Sequence, residues 1–251
     1  VTSGSRTART ARSLTYRPSW AYAAVALLAA SLTFLVVKPL PESDVLPGPL
    51  TAAVPSSPSQ DIVSLTLVSQ ESGLKVHQGQ AILNSLTGES SRIMELLPLI
   101  KQFRPRTIIL CMDDSGLPRT PEQELSIAQK MAELMDREGI DLSDIFLDPL
   151  VRPIGVYPES GRLFLDSLTL IKENLPQVNT IAGISNVSFG MPGRKLINRS
   201  FLTLAMGRGL DAAIIDPLDR EIISAVKASR SLLGQDPAMR EYLKFIRSSK
   251  I

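Results

Sequence analysis

The chain has 251 residues, with 27 Lys and Arg against 25 Asp and Glu, a balance that offers no strong field to select nucleic acid. One cysteine, Cys111, excludes an internal disulfide, and a single histidine, His77, removes His-based metal centres and a Ser-His-Asp triad from consideration. A carboxylate-only metal site would need a close acidic cluster; the chain shows none, and no metal is expected to bind.

Residues 1–70 differ in composition from the rest. They hold only three acidic residues, Glu42, Asp44 and Asp61. Arg6, Arg9, Arg12 and Arg17 precede an uncharged apolar span at 18–37, long enough for a membrane helix, although rich in Ala, Ser and Thr. The expectation is an irregular leader with at most a helix over about 21–37, and a cytoplasmic protein; membrane anchoring through 18–37 is the minor alternative. Pro39, Pro41, Pro47, Pro49, Pro55 and Pro58 then forbid regular helix or central strand over most of 39–59. Residues 62–68 read as a short strand. The domain reading is therefore 1–70 as an atypical leader and 71–251 as the folded unit. A shifted reading frame, a misassigned start or a gene lesion would produce such a break.

Beyond residue 71 the pattern is regular. Apolar runs ending on Asn84, Asp113, Asp148, Asn186 and Asp216 alternate with stretches of helical periodicity at 89–103, 121–137, 158–174, 194–208 and 218–233, and a last helix is expected at 236–247. Short continuous apolar runs between amphipathic helices indicate βα units around a buried parallel sheet. Five such units fit an α/β fold, a (β/α)8 TIM barrel that is incomplete, and polar residues at strand ends would ring its mouth. The stretch at 121–137 is the clearest helix: Thr120 is placed to cap it, Pro121 occupies its first turn and Gly139 follows it. His77 reads as a surface or packing residue, Cys111 as buried and inert, and Gly183 and Gly190 belong to no phosphate-binding spacing.

A ring of carboxylates and amides suits a flat, nitrogen-rich heterocycle such as a pterin, which offers N–H donors and ring-nitrogen acceptors together. Asp148 and Asp216 each precede a proline, so each is equally well read as a turn former. The local wording is more specific. Gly183-Ile184-Ser185-Asn186-Val187-Ser188-Phe189-Gly190, then Arg194-Lys195-Leu196-Ile197-Asn198-Arg199, then Gly209-Leu210-Asp211-Ala212-Ala213-Ile214-Ile215-Asp216 closely resembles the methyltetrahydrofolate:corrinoid protein methyltransferases. These are pterin-binding barrels related to the folate domain of cobalamin-dependent methionine synthase. Gly73-Leu74-Lys75-Val76-His77-Gln78-Gly79-Gln80, leading to Asn84, resembles the family's fourth strand and its approach, and Leu147-Asp148-Pro149-Leu150 its sixth. The resemblance covers about residues 71–251.

The resemblance implies that Asn84 and Asp148 hydrogen-bond a pterin ring and that Asn186 faces N5 of the folate, the nitrogen bearing the methyl group. It implies further that Gly183 and Ser185 line the same wall and that Arg194 lies near the substrate. Asp113 and Asp216 are mouth residues without an assigned role. The methyl donor would be methyltetrahydrofolate, and the acceptor the Co(I) corrinoid (cobalamin) of a partner protein. Dihydropteroate synthase shares the fold and the pterin, but the Asn186-Val187-Ser188 wording argues against it. An inactive, truncated or membrane-associated remnant is the alternative of another class. The family's first three units, with a carboxylate at the end of the third, have no counterpart in residues 1–70. A five-strand remnant with two open edges is expected to be weakly stable and marginally soluble, unless a second subunit covers an edge in a homodimer.

Overall fold

The computed structural model describes residues 34–36 and 67–248. The expected apolar helix at 18–37 and the strand at 62–68 fall mostly outside them. Where they overlap, the structure corrects both: Phe34–Val36 is a strand (β1) and Leu67–Val76 is a helix (α1). There follow β2 (Ile82–Gly88), α2 (Ser90–Phe103), β3 (Arg106–Asp113), α3 (Pro121–Arg137), β4 (Ile145–Asp148) and α4 (Ser160–Asn174). The chain then forms β5 (Asn179–Gly183), α5 (Arg194–Gly207), β6 (Ala212–Ile214), α6 (Arg220–Leu232) and α7 (Arg240–Ser248).

The sheet order is β1-β6-β5-β4-β3-β2, so five parallel strands stand side by side in chain order, and β1 pairs antiparallel on the outer edge of β6. Consecutive parallel neighbours joined by helices are the arc of a (β/α)8 barrel. One of the two expected open edges is thus covered. Among the described residues β2 pairs on one side only.

Two apolar layers hold the helices against the arc. Leu83, Leu86, Ile109, Cys111, Ile145 and Leu147 pack with α2 and α3, and Ala182 and Ala213 pack with α5 and α6. Phe164 of α4 and Phe201 of α5, with ring centroids 5.1 Å apart at 55°, join the second layer across two units. Helix α3 shows how the sequence specifies such a unit. The Thr120 side chain accepts the Gln123 N–H, Pro121 opens the first turn, and Ile127, Ala128, Met131, Ala132 and Met135 recur at helical spacing on the buried face. Gly139 then takes the left-handed conformation, at φ 71°, that ends the helix.

Three strand boundaries differ from the polar residues expected to end them. Strand β2 runs through Asn84 to Gly88, because buried Leu86 and Thr87 continue the pairing with Ile109 and Leu110 after a register shift. Strand β5 stops at Gly183, and Ile184–Asn186 forms a 3-10 turn; β6 stops at Ile214, two residues before Asp216. The last helix is also shorter than expected, since Ala238 and Met239 have left-handed backbones and break the stretch before Arg240. No described helix is long and apolar enough to cross a membrane.

Asp211 ties the other end of the arc. Its Oδ2 accepts from Lys172 Nζ at 2.8 Å and from the Thr180 N–H at 2.9 Å, joining α4, β5 and the start of β6. Replacing Phe164 with Ala removes a fully buried ring at the α4–α5 joint. Denaturant unfolding is expected to show a loss of about 3–5 kcal/mol.

Candidate functional site

Pairing decides which side chains share a face. Asn84 is level with Ile108, Ile108 with Phe146, and Leu110 with Asp148. Neighbouring odd positions Ile109, Cys111, Ile145 and Leu147 face the helices. Asn84 and Asp148 therefore point to the opposite face, as strand alternation requires. Gly183, level with Ile214, follows Ala182, which faces the helices, and so belongs to the same opposite face.

Asp148 is the best-buried of the expected site residues. It is 8% exposed, and its Oδ1 accepts the Leu150 N–H at 2.9 Å. Burial pushes its carboxyl up to about 7, against the lowering effect of that hydrogen bond. Asp216 makes the same kind of turn, with Oδ1 accepting the Leu218 N–H at 2.9 Å, but is exposed. Asp113, half-buried, accepts from Ser115 N–H and Oγ, and Asp114 accepts from the N–H and hydroxyl of Ser90 at the start of α2. The acids of this turn thus serve local structure. Among the described residues no cluster of three or more His, Cys, Asp or Glu side chains could hold a metal ion.

Gly183 and Asn186 form the tightest part of the site. A Cβ at position 183 would lie 3.1 Å from Nδ2 of Asn186, so the absence of a side chain lets the amide fold over the strand end. Asn186 is half-buried, and its amide makes no hydrogen bond to the described residues. The turn that carries it is secured from behind. Arg194 donates from Nη2 to the Ser185 carbonyl at 2.8 Å and from Nε to Ser188 Oγ at 3.1 Å, and Ser188 Oγ donates to Asn198 Oδ1 at 2.6 Å. The Arg194 guanidinium also sits 6.0 Å from the Phe189 ring centroid. Arg194 therefore clamps the Asn186 turn, and Ser185 serves it through its backbone carbonyl.

Sequence reasoning missed Glu124. It lies in the first turn of α3, where an acid is ordinarily a solvated partner of the helix dipole, yet it is fully buried. Burial pushes its carboxyl up to about 8; the Ser167 hydroxyl and Arg152 favour the charged form, and Asp148 opposes it. The sign that could have revealed it is its spacing to Ile127, Ala128 and Met131, which puts it on the apolar stripe. Ser188 and Asn198, also unassigned before, lie inside the quoted motif. Burial likewise pushes the Cys111 thiol up, leaving it unreactive.

Raised carboxyl values make the folded chain hold protons that the unfolded chain releases. Stability is therefore greatest below the ordinary values of 3.8 and 4.5 and falls as pH rises toward about 7 for Asp148 and about 8 for Glu124. Glu124→Gln, neutral throughout, is expected to shrink the drop in melting temperature between pH 5 and pH 8. An unchanged drop would count against the buried acid as its source.

The sequence matches the family of pterin binding enzymes over residues 62–216. It is 34% identical over 172 residues to a methylcorrinoid:tetrahydrofolate methyltransferase of Eubacterium limosum, an overlap covering 68% of this chain and 64% of that protein. It is 29% identical over 157 residues to the methionine synthase of Mycobacterium leprae and 28% identical to that of Mycobacterium tuberculosis, in each case 58% of this chain and 13% of the longer protein. The chain thus spans just under two thirds of the first relative and about an eighth of the other two. With a family match over more than half its length, on a parallel βα arc, the chain belongs to the pterin binding enzymes.

Proposed function

We propose that the chain serves the folate side of a methyl transfer between N5 of tetrahydrofolate and the cobalt of a corrinoid carried by a partner protein. The observation that carries this reading is the Asn186 amide, held over side-chain-free Gly183 with no hydrogen-bond partner among the described residues. Asn84 and Asp148 share the face to which Gly183 belongs. Asp148, titrating near neutrality, supplies a carboxylate acceptor for the amino and N–H edge of a pterin ring.

The chemistry asks for such an amide. A methyl group on a neutral tertiary amine departs poorly, because the nitrogen left behind would be a strongly basic anion. A proton or a strengthening hydrogen bond at N5 makes the departing group neutral. An amide can present its oxygen to protonated N5 and its nitrogen to unprotonated N5, so it stabilises developing charge without trapping one protonation state. In the methylating direction for the corrinoid, the cobalt(I) electron pair attacks the methyl carbon and the C–N electrons stay on N5. The relative's name puts the methylcorrinoid first and tetrahydrofolate second; the same N5 interactions serve that direction, with the bond changes reversed. The corrinoid partner supplies the cobalt, and Asn84, Asp148 and Asn186 hold and activate the pterin.

Calorimetric titration of the full chain with methyltetrahydrofolate is expected to give saturable one-site binding; a folded sample that does not bind would overturn the reading. Asn186→Ala is expected to lower kcat of methyl transfer to a corrinoid protein by about a hundredfold or more while leaving the melting temperature in place. Gly183→Ala, which moves the amide by a few tenths of an ångström, is expected to cost about tenfold. Equal turnover in wild type and Asn186→Ala would remove Asn186 from the chemistry.

A further inference from the structure

The loop from Asp148 to Ser160 touches both halves of the proposed pterin site. At its start Asp148 accepts the Leu150 N–H, and Leu150 sits in the left-handed region at φ 56°, a conformation a leucine keeps only when its surroundings hold it. Farther on, the Ile154 N–H donates to the Val187 carbonyl at 3.0 Å, one residue past Asn186. Gly155 packs so closely on Met191 that a Cβ there would lie 2.9 Å from the sulfur. Movement of this loop would displace Asp148 and the Asn186 turn together.

Arg152 is the residue within the loop that reaches in several directions. Its carbonyl accepts from Ser160 Oγ at 2.8 Å, its guanidinium lies 5.5 Å from the Tyr157 ring centroid, and its Nε is buried. Buried Glu124 of α3 is acted on by the Ser167 hydroxyl from α4 and by the charges of Arg152 from the loop and Asp148 from β4, and its own charge acts on Cys111 of β3. Both Glu124 oxygens, Arg152 Nε and Ser167 Oγ are buried without a hydrogen bond of good geometry. Leaving so many buried polar atoms unpaired is costly. Yet the set is complementary: a carboxyl oxygen can accept from the Arg152 N–H, and its other oxygen can donate to, or accept from, the Ser167 hydroxyl.

We propose that Glu124 is a positioning residue: with Ser167 and Arg152 it forms a buried polar anchor that fixes the 148–160 loop, and through it Asp148 and the Asn186 turn. The role rests on the pterin reading of that site. Glu124 does not touch the substrate. Its effect is on the geometry in which the substrate is met, and a neutral hydrogen-bonding group of the same shape serves as well as the acid.

The test compares Glu124→Met, which keeps volume but not hydrogen bonding, with Glu124→Gln, which keeps both, and with Arg152→Ala and the Glu124→Met/Arg152→Ala double variant. Hydrogen–deuterium exchange of the full chain without ligand reads the loop, and calorimetry with methyltetrahydrofolate reads the site. Glu124→Met and Arg152→Ala are each expected to speed exchange in 149–159 at least tenfold and to weaken binding about tenfold. Each is also expected to lower the melting temperature modestly, with exchange outside 149–159 changed far less than exchange within it. Glu124→Gln is expected to match wild type in both measurements, and the double variant to be no worse than the poorer single one. Unchanged loop exchange in both singles, damage by Gln equal to that by Met, or additive effects would each overturn the anchor. Failure of wild type to bind would overturn the pterin reading and the positioning role with it, whereas the exchange data judge the anchor on their own.

Discussion

Parallel pairing of β2 to β6 in chain order, with helices packed on one face, constrains nearly everything else in this molecule. Because each strand is followed by a helix that returns to the starting end, every strand-to-helix loop emerges at the same end of the arc. Asp113, Asp148, Asn186 and Asp216, far apart in sequence, are carried to that one end for a topological reason. The opposite end is left to structural work, and Asp211 illustrates it. Although it belongs to a motif that resembles a functional signature, it is spent on Lys172 and Thr180 at the beginning of β5 and β6.

Within the shared end, burial separates residues of the same type into different roles. Asp148 and Asp216 have the same local pattern, a carboxylate before proline accepting the N–H two residues on. One is buried and titrates near neutrality, while the other is exposed. The local turn accounts fully for Asp216. For Asp148 it leaves a desolvated acid with one oxygen engaged in the turn, suited to a ligand that brings N–H donors. The turn-forming and ligand-binding readings of Asp148 are therefore compatible.

The Asn186 turn shows how a half-buried amide is held in place by its neighbours. Gly183 contributes the absence of a side chain, Arg194 two hydrogen bonds, and Ser188 with Asn198 a buried support. A basic residue expected near the substrate thus acts as a clamp on the peptide beside it. Such a clamp explains the long, specific wording from 183 to 199 better than direct contact by each residue would, since a half-buried amide must be oriented before it can help.

Alternating apolar runs and amphipathic stretches were enough to establish the α/β class, the five units and the helix at 121–137 down to its cap, because these features depend on local periodicity and on capping chemistry close in sequence. Boundaries set by pairing were not legible. Leu86 and Thr87 extend β2 past Asn84 only because Ile109 and Leu110 lie beside them, and β5 ends at Gly183 because the following residues turn to bring Asn186 back over it. The sequence alone named Asn84, Asp113, Asp148, Gly183, Ser185, Asn186, Arg194 and Asp216 as candidates. Which face Asn84, Asp148 and Gly183 share, that Arg194 points at backbone carbonyl and hydroxyl oxygens, and that Glu124 is buried were decided by tertiary structure. Each depends on register and burial between segments tens of residues apart, where desolvation and hydrogen-bond partners are supplied by other strands and helices.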